Sequence, residues 1–178
     1  MPNNVSVEGW AYMKAGDAIS GKEGALYATV DVLKAGTSEY EKKVVQVAEC
    51  KNITATITKN KSEFKALGYR GTQHKTTGWN GTGTLVVHYA SSNWIKQMLR
   101  YVRDGIDEYF TLQIVNQDPT SSIGKQVVNL YDVNIDECEL AKLDIDADYL
   151  EQSINFTFSG AELMEGFSNL SSGDKENY

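Results

Sequence analysis

The sequence predicts a mainly β fold, an antiparallel β-barrel or sandwich with one flanking α-helix and long loop excursions. Three observations carry this expectation. Several segments alternate apolar and polar residues with the period of two expected of half-buried strands. One segment shows a helical period. The two prolines, Pro2 and Pro119, leave the chain between them free to build strands. At 178 residues the chain is expected to form one domain, 1–178, with a sizeable core.

Residues 1–24 read as an N-terminal arm, dotted with glycine and weakly periodic. A first strand is expected near Leu26–Val32. Val44–Thr58 reads as one strand, in which Ile53, Ala55 and Ile57 alternate with Thr54, Thr56 and Thr58. Residues 59–82 hold glycines, few aliphatics and much of the basic charge, and read as a long loop of the functional or disordered kind. Thr84–Tyr89 resumes the alternation, with Leu85, Val87 and Tyr89 on one face. Over 91–104 a helix is predicted, because Trp94, Ile95, Met98, Leu99, Tyr101 and Val102 make one broad stripe. Ser91, Ser92 or Asn93 can cap its start, and Gly105 suits its end. Tyr109–Val115 alternates through Phe110, Leu112 and Ile114. Val127–Cys138 sets Tyr131, Val133 and Ile135 against Asp132, Asn134 and Asp136. Ile154–Ser159 turns Ile154, Phe156 and Phe158 inward, and the polar tail 168–178 is expected to fray.

Charge is laid out unevenly along this frame. Residues 1–50 carry a net −2, residues 51–103 a net +8 with Glu63 as their only acid, and residues 104–178 a net −13. Opposite signs on different surfaces favour head-to-tail contacts, which close into rings or run on as filaments. The overall −7 argues against general DNA binding, which draws on positive charge, but suits a surface past which DNA slides. The start of the chain lacks the apolar core of a signal peptide, and no apolar run reaches the roughly 20 residues of a membrane span. Cytoplasmic synthesis and reduced Cys50 and Cys138 are therefore expected.

Several motifs tempt and fall short. Gly16–Lys22 fits GxxxxGK, but Glu23 stands where a magnesium-binding hydroxyl belongs. Asp144, Asp146 and Asp148 alternate like the start of a calcium loop, but Tyr149 and Asn155 occupy the positions of its glycine and glutamate. Asn52, Asn80 and Asn155 open glycosylation triplets that have no meaning without secretion. His74 and His88 stand alone, with no positioned nucleophile or second ligand. Asp132 and Asp136, four apart on one strand face, lie about 13 Å apart, beyond the roughly 5–9.5 Å used by glycosidases. An alternative reading is a small-ligand barrel with Phe110, Tyr131, Phe156 and Phe158 lining its pocket. Lys96, Arg100 and Arg103 share one helix face and could dock an acidic partner.

Two blocks resemble a known family. One is Lys59-Asn60-Lys61, continued by Leu67-Gly68-Tyr69-Arg70-Gly71-Thr72-Gln73-His74-Lys75 and Gly78-Trp79-Asn80-Gly81-Thr82-Gly83-Thr84. The other is Asp118–Gln126 followed by Leu130-Tyr131-Asp132-Val133, with a weaker match at Lys22-Glu23-Gly24. They resemble tail tube proteins of contractile (myophage) tails, in particular those of PBSX-type prophages and phage-like R-type bacteriocins. The resemblance implies hexameric rings stacked into a tube, with strands joining around the lumen. It implies a sheath outside, a baseplate or hub initiator below and a tail terminator above. It implies no catalytic residue, cofactor, metal or membrane, and DNA only as passing cargo. On this reading 59–82 reaches a neighbouring subunit through Lys59, Lys61, Arg70, His74, Lys75 and Trp79. Lys96, Arg100 and Arg103 are candidates to face the sheath. Asp132, Asp136, Asp144, Asp146 and Asp148 are candidates for the lumen or an acidic interface. The expected location is the tail of a virion or phage-like particle made in a bacterial cytoplasm.

Overall fold

The computed structural model describes residues 15–33 and 40–168. Most of the expected N-terminal arm and nearly all of the polar tail lie outside the described residues. Eight strands and one helix follow a short 3-10 turn: β1 Gly24–Leu33, β2 Tyr40–Gln46, β3 Cys50–Phe64, β4 Gln73–His88, α1 Asn93–Asp104, β5 Phe110–Gln117, β6 Lys125–Cys138, β7 Glu151–Phe158 and β8 Gly160–Glu165. All pairs are antiparallel, in the order β2-β1-β5-β6-β7-β4-β3, with β8 also on β6.

β6 joins two sheets. Its first half pairs with β5 and β8, its second half with β7. Tyr131 opposite Gly160 and Asn134 opposite Thr157 continue one register, so β7 and β8 are one strand bent at Ser159. The bend faces Asp132, whose φ of 52° is sparsely allowed but tolerated by Asp. Between the pairs Phe110–Val133 and Leu112–Leu130, β6 spends one more residue than β5, which is a β-bulge. The extra residue lets Leu130 and Val133, three apart, both point inward at 2% and 0% exposure. Tyr131, expected inside, instead faces out and donates its hydroxyl to Glu162 Oε2 at 2.9 Å. The Ser159 hydroxyl donates to Asp132 Oδ2 at 2.6 Å and fastens the corner.

One apolar cluster fills the space between the sheets. Leu26, Ala28, Phe110, Leu112 and Leu130 come from one side; Leu85, Val87, Ile154, Phe156 and Phe158 come from the other. Each large side chain contributes about 1.5–3 kcal/mol by leaving water. Gly81 and Gly83 sit opposite Phe158 and Phe156 on the neighbouring strand. A Cβ on Gly83 would stand 2.2 Å from Phe156 Cζ and 2.7 Å from the Thr54 carbonyl oxygen; one on Gly81 would stand 2.5 Å from the Phe158 ring. The two rings crowd against bare backbone, leaving no room for a side chain at either glycine.

Four expectations change. Val44–Thr58 is two strands in different sheets, because the chain turns at Ala48–Glu49 between β2 and β3. The expected loop 59–82 is mostly the paired ends of β3 and β4, leaving an irregular tip at 65–72. The apolar stripe of α1 is only partly used: Trp94 enters the core beside Phe110 at 6.0 Å, whereas Tyr101 and Val102 stay 55% and 73% exposed. Phe110, Phe156 and Phe158 are packed in the core while Tyr131 is outside it, so these aromatics line no common ligand pocket. The helix ends as expected, with Gly105 at φ 68° donating its N–H to the Tyr101 carbonyl, but Ser92 makes no side-chain cap.

Candidate assembly interface

β4 pairs with β7 only from Gly81 to His88. Outward from Lys59–Trp79 to Phe64–Gln73, β3 and β4 pair only with each other among the described residues. At about 3.3 Å per residue this leaves a two-stranded arm reaching roughly 20 Å beyond the sheet. Such a ribbon is marginally stable in water by itself. Its base is anchored where the Trp79 ring meets Phe158 at 6.2 Å. Beyond that, Lys59, Lys61, Arg70, His74 and Lys75 are all exposed. Among the described residues none of these cations, nor Lys65, has an ion-pair partner. Leu67 at the tip is fully exposed, with Phe64 and Tyr69 half-exposed behind it. The structure thus gathers six predicted contact residues on one projecting element.

The helix patch is less free than its sequence suggests. Arg100 turns under α1 to pair with Glu108, and Arg103 pairs with Asp104 at 2.8 Å. The Arg103 guanidinium holds the Asp104 carboxyl below its usual range. Lys96 is the cation of the three without an ion pair among the described residues.

The outer face of the β3-β4-β7 sheet is a threonine field. Thr54 pairs with Thr84, Thr56 with Thr82, and Thr82 with Thr157. Asp136 and Glu137 are tied to its edge: Thr157 Oγ1 donates to Asp136 Oδ1 at 3.1 Å and Asn155 Nδ2 to Glu137 Oε2 at 2.9 Å. Asp132 lies at the corner beside it. Asp144, Asp146 and Asp148 are exposed on the connection between β6 and β7, with Leu143 and Ile145 also bare. Among the described residues no three carboxylates, histidines or thiols converge as metal ligands.

Two features escaped the sequence reading. A cleft runs beneath α1, where Asp107, Glu108 and Asp136 meet Tyr101 and Met98. The Asp107 carboxylate, followed by desolvation and by Asp132, pushes the Tyr109 phenol up. Helical periodicity cannot reveal this cleft, because its walls come from α1, the 105–109 connection and β6 together. The second is a clasp between residues 16–20 and the 118–122 turn. Asp17 is buried and accepts the Ser122 hydroxyl at 2.5 Å. Asp118 accepts the Ser20 N–H at 2.9 Å and the Thr120 hydroxyl at 2.6 Å. These bonds, the Thr120 hydroxyl foremost, hold the Asp118 carboxyl below its usual range. The P-loop-like segment is therefore a structural latch, followed by β1 rather than by a helix.

A family model described as phage tail tube protein matches residues 11–165. The chain is 40% identical over 156 residues to the phage-like element PBSX protein XkdM of Bacillus subtilis (strain 168), covering 88% of this chain and 97% of the relative. It is also 40% identical over 153 residues to the uncharacterized protein YqbM of the same strain, covering 86% and 95%. In fold it is similar to a chain of the anti-feeding prophage tube-terminating cap, with a TM-score of 0.61, 10% identity and coverage of 92% and 99%. A chain of the sheath-tube complex of an extracellular contractile injection system gives 0.57 at 11% identity, with coverage of 83% and 91%. With the family match spanning nearly all of the described residues, the chain belongs to the phage tail tube protein family.

Proposed function

We propose that this chain is the repeating subunit of the inner tube of a contractile phage-derived tail. Identical copies join edge to edge into hexameric rings, and the rings stack. The single observation that carries this is the unsupported basic arm of β3 and β4. A ribbon that is marginal alone and rich in unpaired cations is stable when a second copy covers it. The 59–82 arm supplies contact through Lys59, Lys61, Arg70, His74, Lys75 and Trp79. Open strand edges, normally guarded, are the joining surfaces of the ring.

The threonine field and Asp132 face the lumen, with Asp136 at the field's edge toward α1, and Asp144, Asp146 and Asp148 extend its negative rim. DNA passes such a wall without adhering, since phosphate finds no counter-charge. The solvent side of α1, with Lys96 and Arg103, faces the sheath, while Arg100 is held by Glu108 beneath the helix. The other partners are a baseplate hub that starts the tube and a terminator that ends it. The work done is mechanical, so no residue acts as a catalyst. The subunit is made in a bacterial cytoplasm and resides in the particle's tail.

The test is negative-stain electron microscopy of the full-length chain at rising concentration. Annuli and rods with sixfold end views are expected. A chain that stays monomeric at every concentration and is absent from the core of purified particles overturns the reading.

A further inference from the structure

We infer that the cleft beneath α1 is the dock for the β3-β4 arm of a second copy. This rests on the tube-subunit reading and assigns the surface that the arm meets. The cleft has two characters. At one end Ala28, Val30, Val45, Val47 and Trp94 give the larger, apolar share of the wall of an open hollow of about 480 Å³, with Asp31, Glu49, Lys96 and Glu108 also lining it. At the other, Asp107, Glu108 and Asp136 ring a hollow of about 320 Å³ beside Tyr101. Val30, Asp31 and Ile106 line the stretch between them. Arg100 is already committed to Glu108, and Lys96 is the remaining cation along the cleft, against the carboxylates of Asp31, Glu49, Asp107 and Asp136.

The arm has the complementary make-up. Leu67, Phe64 and Tyr69 project at its end, and Lys59, Lys61, Lys65, Arg70 and Lys75 flank them without acidic partners among the described residues. Apolar tip matches apolar hollow, and basic flank matches acidic mouth. Tyr101 and Tyr109, both more than half exposed, offer ring faces to the arm's cations as they enter.

The experiment pairs Leu67→Cys with Val45→Cys in the full-length chain and oxidises assembled rods. Both positions are exposed, so neither change disturbs the core. The native thiols of Cys50 and Cys138 are half-buried and pushed up in pKa by that burial, which slows their oxidation. A covalent ladder of chains is expected from L67C/V45C and none from L67C/L163C, whose second cysteine sits on the edge strand β8. Normal rods that ladder through L67C/L163C and stay unlinked through L67C/V45C overturn the docking site and leave the tube reading standing. Failure of the unaltered chain to form rods or to enter particles removes both.

Discussion

Replacing residues 61–77 by an Asn-Gly turn tests the arm directly. Asn60 and Gly78 are register partners, so the two strands can be closed there by a two-residue connection. The excised residues are exposed except for a half-buried Gln73, and none belongs to the apolar cluster. Their loss therefore removes little hydrophobic stabilisation. Surface changes away from such features stay within about 0.5 kcal/mol each, and shortening the connection recovers about 0.6 kcal/mol per halving of its length. The net change in unfolding free energy is expected to stay below about 1 kcal/mol. With a urea slope of roughly 2 kcal/mol/M, the midpoint shifts by less than about 0.5 M. Assembly, by contrast, should vanish: Lys61, Lys65, Arg70 and Lys75 go with the arm, and microscopy should show no rods at any concentration. Rods of normal length from the truncated chain would refute the argument. So would a truncated chain that no longer folds, since the arm would then be part of the core.

Further expectations follow from the interior. Gly83→Ala forces a Cβ against Phe156 and should cost about 1–3 kcal/mol in urea titrations. Gly78→Ala, whose Cβ meets only Asn60 Nδ2 at 3.9 Å, should change stability little; equal losses would discount the ring-on-backbone contact. Asp132→Gly and Asp132→Ala both lose the Ser159 bond, but only Ala keeps a Cβ at φ 52°. The glycine variant should be more stable by about 1–2 kcal/mol, and thermal melts giving the reverse order would reject strain at the corner. Asp118 is held as a carboxylate in the folded chain, so its stabilisation is present above the unfolded value near 3.9 and fades as pH falls through the lower folded one. Melting temperatures from pH 5 down to 2 should show Asp118→Asn converging on the unaltered chain. A gap that stays constant with pH would show that the latch does not depend on that charge.

What could be read from the sequence depended on whether a strand buries one face. β7 was legible because Ile154, Phe156 and Phe158 alternate with polar residues and all three are buried. α1 was legible for the same reason at the helical period, although the period could not say which part of the stripe would be covered. The arm read as a loop because Lys59–Ser62 and Thr76–Gly78 carry no apolar residue on either face. Backbone pairing holds those strands, and backbone pairing leaves no mark in hydropathy. The turn between β2 and β3 was missed because Ala48–Glu49 carries no glycine, proline or asparagine to punctuate it. The bulge at Asp132 was invisible, and strict alternation placed Tyr131 inside where Leu130 belongs. The basic charge of the arm is plain in the sequence, whereas a contact role for Lys59, Lys61, Arg70, His74, Lys75 and Trp79 comes from the family resemblance. The cleft beneath α1 was not, because it is made by five separate elements meeting.

The bent ladder of β6 with β7 and β8 also decides how the subunit carries load. Both of its strands pass through the corner without interruption, so tension entering one sheet crosses to the other along peptide bonds. The hydrogen bonds flanking the bend are then sheared together rather than peeled one at a time. A rod built from such blocks resists axial thrust as a woven wall does, by continuous thread rather than by glue.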